Sequence, residues 1–136
     1  MPVTKEFNVQ MEDRPGTLGK FCKALADRGV NIVAFQAFPG GGKSTVRFVA
    51  DNPTTAKTVL DNQKLTYTET QVAQAKLPHQ PGALGRAASK LGDANVNINY
   101  AYAGVEPGTN APVLIFGAAD TSRAATLLDE VSSVAA

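Results

Sequence analysis

A short motif that occurs twice limits what this chain can fold into more than any other feature. Residues 13–20 read DRPGTLGK and residues 79–86 read HQPGALGR, 66 positions further along. Recurrence at such a distance indicates two copies of one small structural unit. An alternating apolar pattern precedes the Pro-Gly pair in each copy, and a helical pattern follows it. The sequence therefore predicts two units, residues 1–70 and residues 71–136, each with a strand-to-helix turn at this motif.

The first copy has the patterns of a strand, a helix, a hairpin and a second helix. Apolar residues at every second position are typical of a half-buried strand, and apolar residues three and four apart are typical of one helix face. Asn52 before Pro53 predicts the start of the second helix, because asparagine caps helices and proline suits the first helical position. The predicted elements are a strand over residues 4–12, a helix to about residue 28, a strand over 31–38, a flexible turn over 39–42, a strand over 44–50 and a helix after Asn52.

The second copy repeats this order after an extended segment. Residues 65–77 lack helix signals and strong breakers, so one run is predicted to be the last strand of the first unit and the first strand of the second. Asn95 stands where the first copy has Gly29, and both residue types tolerate the left-handed conformation that ends a helix. A hairpin with a longer loop and a helix capped by Asp120 follow. Only residues 132–136 then remain, so the last strand of this unit is predicted to be short or missing.

The order strand-helix-strand-strand-helix-strand allows few arrangements. Right-handed crossovers place both helices on one face of an antiparallel sheet with strand order 4-1-3-2, which is the ferredoxin-like arrangement. We therefore predict an α+β protein of two ferredoxin-like βαββαβ units. A unit this small buries little apolar surface, and its second strand lies at a sheet edge with unpaired backbone groups. The two units, or two chains, are thus predicted to pair, and a homodimer is expected.

The composition excludes several classes of function. The chain has 136 residues, of which 43% are hydrophobic and 18% charged, and its 13 Lys and Arg nearly balance its 12 Asp and Glu. No strong net field is left to attract nucleic acid or anionic lipid. The sequence has neither an apolar run of ~20 residues, as needed to span a bilayer, nor a signal-peptide core. A cytoplasmic protein without nucleic-acid or membrane partners is expected, and the single cysteine excludes an internal disulfide or a Cys-rich metal site.

The turn motif itself suits a carboxylate. A Pro-Gly turn that leads into a helix leaves backbone N–H groups unpaired at the positive end of the helix dipole. Gly16 allows a ligand to approach the backbone closely. Asn31 and Asn97 each stand fifteen residues past a turn glycine. Their side chains both donate and accept hydrogen bonds, as recognition of an α-amino acid requires.

The residues also resemble a known family. A strand followed by DRPGTLG, an amphipathic helix and GVNI resembles the ACT domain, a small regulatory module that binds amino acids, and HQPGALG with NVNINY resembles it again. The likeness covers residues 4 to about 130 as a tandem pair. It implies the ferredoxin-like fold, a small amino acid effector bound where a turn meets a neighbouring unit, and a regulated enzyme on a separate chain. The implied ligand-binding residues are Asp13, Arg14, Pro15, Gly16, Thr17, Leu18, Asn31 and Ile32 in the first copy and His79, Gln80, Pro81, Gly82, Ala83, Leu84, Asn97 and Ile98 in the second.

The two copies differ beside the turn. Asp13 can hold the ammonium group of an amino acid, whereas His79 can accept from it only while neutral. The copies are therefore expected to differ in ligand or affinity. Each residue also has a plainer interpretation: Asp13 is a favourable charge at the helix dipole, Asn31 and Asn97 are residues that leave a helix, and His79 is a solvated loop residue.

Two catalytic interpretations of single motifs are set aside. Cys22 shares its position in the repeat with Ala88, which indicates a small core side chain rather than a nucleophile. Residues 41–44 imitate the end of a phosphate-binding loop, but that motif needs a glycine where Ala37 stands and a helix where the next strand begins.

Two other functions stay open as alternatives. The same strand order serves acylphosphatase-like enzymes, in which Arg14 and Asn31 would assist a phosphate, although no paired acids and no nucleophile with a base accompany them. A ferredoxin-like RNA-binding module would need exposed aromatic residues on its central strands. Tyr100 and Tyr102 instead lie on one face of an edge strand without a basic patch, which favours packing or interface use. We therefore predict a non-enzymatic regulatory protein that binds a small amino acid and needs no cofactor.

Overall fold

The fold follows the predicted order of strands and helices. A computed structural model describes residues 3–132. The α+β pattern βαββαβ is confirmed from the first strand to the fourth. Residues 133–136, most of the stretch in which the last strand of the second copy was predicted to be short or missing, lie outside the described residues. The elements are β1 (Val3–Glu12), α1 (Thr17–Asp27), β2 (Ile32–Gly40), β3 (Lys43–Ala50), α2 (Pro53–Asn62), β4 (Thr66–Lys76), α3 (Ala83–Asp93), β5 (Ile98–Val105), β6 (Pro112–Ala118) and α4 (Thr121–Ser132).

The chain divides into two compact units. The N-terminal unit comprises residues 5–70, and the C-terminal unit comprises residues 71–132 together with Val3 and Thr4. Val3 packs against the core of the C-terminal unit. Lys5, two positions later on β1, forms a 2.9 Å ion pair with Glu69 of β4 in the N-terminal unit. Strands β1 and β4 therefore each contribute residues to both units.

The sheet of the N-terminal unit has β3 at its centre. Strand β3 pairs antiparallel with β1 on one side and β2 on the other, so Phe48 lies opposite Phe7 and Phe35. The rings of Phe7 and Phe48 stack at 5.3 Å, and Phe21 of α1 meets Phe48 edge-on at 5.5 Å. Phe7, Phe21 and Phe48 are buried. Full burial of a phenylalanine side chain stabilises a fold by about 1.5–3 kcal/mol, so this aromatic cluster fixes α1 on the sheet.

The hairpin between β2 and β3 is tighter than predicted. Residues 39–42 were predicted to form a flexible turn, but β2 continues through Pro39 to Gly40 and β3 begins at Lys43. Gly41 and Gly42 alone form the turn, with φ angles of 61° and 77°. A two-residue hairpin of this kind needs positive φ at both positions, which glycine adopts without strain.

The sheet of the C-terminal unit repeats the arrangement with smaller side chains. Strand β6 lies between β4 and β5 and pairs antiparallel with both. The aromatic rings of Tyr100 and Tyr102 stack on one face of β5 with centroids 6.4 Å apart. The ring of Tyr100 covers Gly117 on β6, where there is no room for a Cβ atom. The buried residues of this core include Ala73, Ala75, Ala87, Leu91, Phe116, Ala124 and Leu128.

The helix boundaries follow their local sequence signals. The side chain of Asn52 accepts a 3.1 Å hydrogen bond from the Thr55 N–H, and that of Asp120 accepts one of 3.1 Å from the Arg123 N–H. Asn95 has a φ of 60° after the end of α3. The predicted caps and the predicted left-handed asparagine are thus confirmed. Within residues 3–132, no helix is both long enough and apolar enough to cross a membrane.

The close packing of Tyr100 on Gly117 can be tested by substitution. Gly117→Ala would place a Cβ atom only 2.3–2.7 Å from three carbon atoms of the Tyr100 ring, so the ring must move. We expect a loss of about 1–3 kcal/mol in the free energy of unfolding, as for other overpacked sites. Gly92→Ala is the matched control, because it lies on α3 with no neighbour within 4 Å of the new Cβ, and alanine in a helix is favoured. Equal unfolding midpoints in urea for the two variants would contradict the packing.

A second test uses the phenol of Tyr67 on β4. Its hydroxyl donates a 2.6 Å hydrogen bond to the Asp61 carboxylate at the end of α2, which raises the pKa of Tyr67 from 10.0 to about 12. Because the folded state holds this proton more tightly, its stabilising effect is complete below pH 10 and is lost as the pH rises towards 12. In an ultraviolet titration we expect one phenolate step near pH 12. Tyr67→Phe should remove that step, and Asp61→Asn should move it to lower pH; a step unchanged by either would contradict the contact.

Candidate functional site

The two Pro-Gly turns have the same backbone. Gly16 and Gly82 stand at the N-caps of α1 and α3 with φ angles of 91° and 90°, and neither helix start has a side-chain cap. The predicted strand-to-helix turn is confirmed in both copies. The Thr17 N–H donates to the Arg14 carbonyl at 3.3 Å, and the Ala83 N–H donates to the Gln80 carbonyl at 3.2 Å. The first i to i−4 hydrogen bond of each helix is donated by its fourth residue, Lys20 or Arg86. The N–H groups of the second and third residues therefore have no acceptor within the helix and point outward from its start.

A small cavity borders the turn of the N-terminal unit. It has a volume of about 180 Å³ and a partly charged lining. Its edge holds a 2.8 Å ion pair between Arg14 and Glu12. Of the predicted binding residues, Arg14 and Thr17 contribute to the lining, while Asp13 and Asn31 lie outside it. The lining residues are Met11, Glu12, Arg14, Thr17, Lys20, Phe21, Gln63 and Leu65.

A larger cavity borders the turn of the C-terminal unit. Its volume is about 470 Å³, and most of its lining is apolar. Two of the lining side chains, Leu84 and Val105, are 53% and 52% exposed. Four predicted binding residues take part, namely His79, Gln80, Ala83 and Leu84, whereas Asn97 and Ile98 do not. The complete lining is Leu77, Pro78, His79, Gln80, Ala83, Leu84, Ala103, Gly104, Val105, Asn110, Pro112 and Leu114.

The two asparagines that follow the helices have local partners. The Asn31 N–H donates to the Asp51 carboxylate at 2.9 Å, and the Asn31 carbonyl accepts from the Asp51 N–H at 3.0 Å. The side chain of Asn97 donates to the Asn99 side chain at 3.0 Å. Both asparagines are exposed. The structure thus gathers turn residues around each cavity and leaves these asparagines outside the lining.

Several lining residues carry no signal in the sequence motif. Gln63 and Leu65 reach the first cavity from the segment after α2. Half of the lining residues of the second cavity come from β5, β6 and the loop between them. Tertiary packing brings these residues to the turn, so the spacing of the motif gives no indication of them. The one available hint is the greater length of the second hairpin loop.

The loop beside the larger cavity is held by charged and polar contacts. Lys76 forms an ion pair with Glu106, and the Thr109 hydroxyl donates to the same carboxylate at 2.7 Å. The hydrogen bond from Lys76 contributes most to holding the pKa of Glu106 below its ordinary value, and the hydrogen bond from Thr109 adds to this effect. The Glu106 N–H also donates to the Ala111 carbonyl at 2.8 Å. The loop therefore keeps a defined conformation next to the cavity.

The surroundings of Cys22 disfavour a role as a nucleophile. Burial raises the pKa of the Cys22 thiol, which disfavours the reactive thiolate. The side chain is half-buried and packs against the core of the N-terminal unit, consistent with the predicted core role. Among residues 3–132, no three His, Cys, Asp or Glu side chains lie close enough together to hold a metal ion.

Comparison with known proteins finds one family match, in the N-terminal unit. Residues 5–64 match the ACT domain, so the predicted resemblance is confirmed for this unit. No curated protein is a detectable sequence relative of the chain.

Solved structures share the fold across nearly the whole chain. A protein from Bacteroides thetaiotaomicron superposes with a TM-score of 0.82 at 22% identity, covering 95% of this chain and 88% of that one. The regulatory subunit of aspartate kinase from Thermus thermophilus superposes with a TM-score of 0.62 at 16% identity, covering 96% of this chain and 92% of that one. The regulatory subunit of aspartate kinase from Thermus flavus superposes with a TM-score of 0.56 at 15% identity, covering 96% of this chain and 97% of that one. At sequence identities this low, the structural similarity shows that these proteins share a fold.

The left-handed glycines of the turns can be tested directly. Gly16→Ala and Gly82→Ala each put a Cβ atom on a residue with φ near 90°, a conformation that strains alanine by about 1–2 kcal/mol. At Gly82 the new atom would also lie 2.9 Å from the guanidinium of Arg86. Both variants should unfold at lower urea concentration than the wild type. Gly19→Ala, two residues into α1 with open space around it, should be neutral or stabilising; a similar loss there would contradict strain at the turn.

Proposed function

We propose that this chain is a non-catalytic regulatory protein that binds a small amino acid at the Pro-Gly turns of two ACT domains, residues 1–70 and residues 71–136. One observation carries the proposal. The two turns have the same left-handed glycine and the same uncapped helix start, and each borders a cavity. Outward N–H groups at a helix start favour a carboxylate, and the adjoining cavity gives the rest of the ligand a place to bind.

The proposed contacts divide between backbone and side chains. The carboxylate binds the first N–H groups of α1 or α3, while Asp13 attracts the ammonium group in the first copy. Asn31 and Asn97 complete the polar contacts when the ligand extends beyond the cavity. The proposed binding residues are 13–18 and 31–32 in the first copy and 79–84 and 97–98 in the second.

The proposed output is control of an enzyme on a separate chain. Support comes from the shared fold with regulatory subunits of aspartate kinase. We also propose a homodimer, supported by two exposed aromatic side chains on β2, Phe35 and Phe38, at 52% and 37% exposure. An acylphosphatase-like activity has less support, because Arg14 is already ion-paired with Glu12.

Thermal unfolding in the presence of single amino acids tests the proposed function. A ligand at 100 times its Kd stabilises the folded state by about 2.7 kcal/mol, which is a clear rise in Tm. Asp13→Ala with Asn31→Ala should remove the response of the first copy, and His79→Ala with Asn97→Ala that of the second. Asp27→Ala, in the exposed ion pair with Lys23 on α1, is the control that should leave the response unchanged.

Two results would count against amino acid binding at the turns. One is a Tm that no amino acid raises while an acyl phosphate is hydrolysed, which would favour the enzyme. The other is an unchanged binding isotherm for both double variants, which would leave the repeated motif a structural role only.

A further inference from the structure

We propose that the cavity of the C-terminal unit selects an amino acid with a branched aliphatic side chain, whereas the turn of the N-terminal unit takes a small or charged one. This inference rests on the proposed function, since it assumes that the turns bind amino acids. Beyond that function, the inference specifies the chemical class of the amino acid that the second copy binds. The basis is the contrast between two cavities that begin at the same positions of the repeat.

The shared positions already differ in polarity. At four positions of the repeat, the residue of each copy lines the cavity of its own unit. At three of these positions the residue is charged or polar in the first copy and apolar or uncharged in the second. Glu12, Arg14 and Thr17 line the first cavity, and Pro78, Gln80 and Ala83 take their places in the second. The fourth pair is Met11 and Leu77. Charges line the first cavity at Glu12, Arg14 and Lys20, while the lining of the second contains no Lys, Arg, Asp or Glu.

A leucine that the two copies share has a different environment in each. Leu18 is half-buried and packs against the core of the N-terminal unit. Its counterpart Leu84 is 53% exposed at the larger cavity, and Val105, which also lines that cavity, is 52% exposed. Exposed apolar groups that border one concavity gain from a ligand that removes them from water. The side chain best matched to this pair is aliphatic.

The size of the second cavity fits such a ligand. Its volume of about 470 Å³ lies in the range of about 300–1,000 Å³ that is usual for small-molecule sites, whereas the first cavity has only about 180 Å³. His79, Gln80 and Asn110 supply the few polar groups of the lining. Together with the α3 N–H groups, they can bind the carboxylate and ammonium ends of the ligand.

The hairpin gives the second cavity a wall that the first lacks. Strands β2 and β3 are joined by Gly41 and Gly42 alone. Strands β5 and β6 are joined by residues 106–111, which the contacts of Glu106 with Lys76 and Thr109 hold in place. Asn110, from this loop, lines the cavity. The cavity is therefore present before the ligand arrives, which lowers the entropy lost on binding.

Calorimetry with L-leucine and L-aspartate on the whole chain tests the inference. Ala103→Phe places a ring in the cavity from an exposed position of β5, where an aromatic residue suits the strand. Ala37→Phe is the matched control, because Ala37 is the counterpart of Ala103 and is also exposed. We expect L-leucine to bind about tenfold or more weakly to Ala103→Phe, as for the loss of an aliphatic pocket, and equally well to Ala37→Phe and the wild type.

Other outcomes separate this inference from the proposed function. If Ala103→Phe does not fold, Leu84→Ser at an exposed position should give the same selective loss of L-leucine binding. Binding of L-aspartate but not L-leucine, or L-leucine binding indifferent to Ala103→Phe and Leu84→Ser, would overturn the inference and leave the proposed function standing. Binding of 4-methylpentanoate, which has no ammonium group, without binding of any amino acid would support the apolar pocket and overturn the proposed function.

Discussion

The contact between Phe21 and Phe48 determines where the turn of the N-terminal unit lies. Phe48 sits on the central strand, and its ring joins Phe7 of β1 to Phe21 of α1. Residues 13–16 span the gap between these two elements, so both ends of the turn are anchored to one aromatic cluster. The exposed turn can therefore keep a defined backbone without a capping side chain of its own.

The C-terminal unit reaches the same turn with a different core. Ala87 occupies the position of Phe21, and Phe116 occupies that of Phe48. The turn glycines nevertheless differ in φ by only 1°, at 91° and 90°. Loss of a phenyl ring from the helix is thus compatible with the same backbone, because the glycine sets the geometry and the core needs only to hold the helix. Divergence of the two cavities did not require divergence of the turn.

The parts of the fold that sequence could predict are those with local physical causes. Asn52 and Asp120 cap helices through bonds to residues three positions away, and Asn95 adopts its left-handed conformation by itself. The extent of β2 was predicted poorly, because proline is disfavoured within strands, yet the pairing of β2 with β3 includes Pro39 opposite Ser44. The cavity walls were missed because Gln63 and Val105 reach the turns only through packing of distant segments.

Strands β1 and β4 each belong to both units, and this limits where the chain can be divided. Strand β4 runs from Thr66 to Lys76 as one element, with Glu69 bound to Lys5 in the N-terminal unit and Ala73 paired with Phe116 in the C-terminal unit. Proteolysis between residues 70 and 71 would therefore split a continuous strand rather than a linker. A gene divided at the midpoint of the repeat would cut β4 in the same way, so neither half of the chain would keep this strand whole.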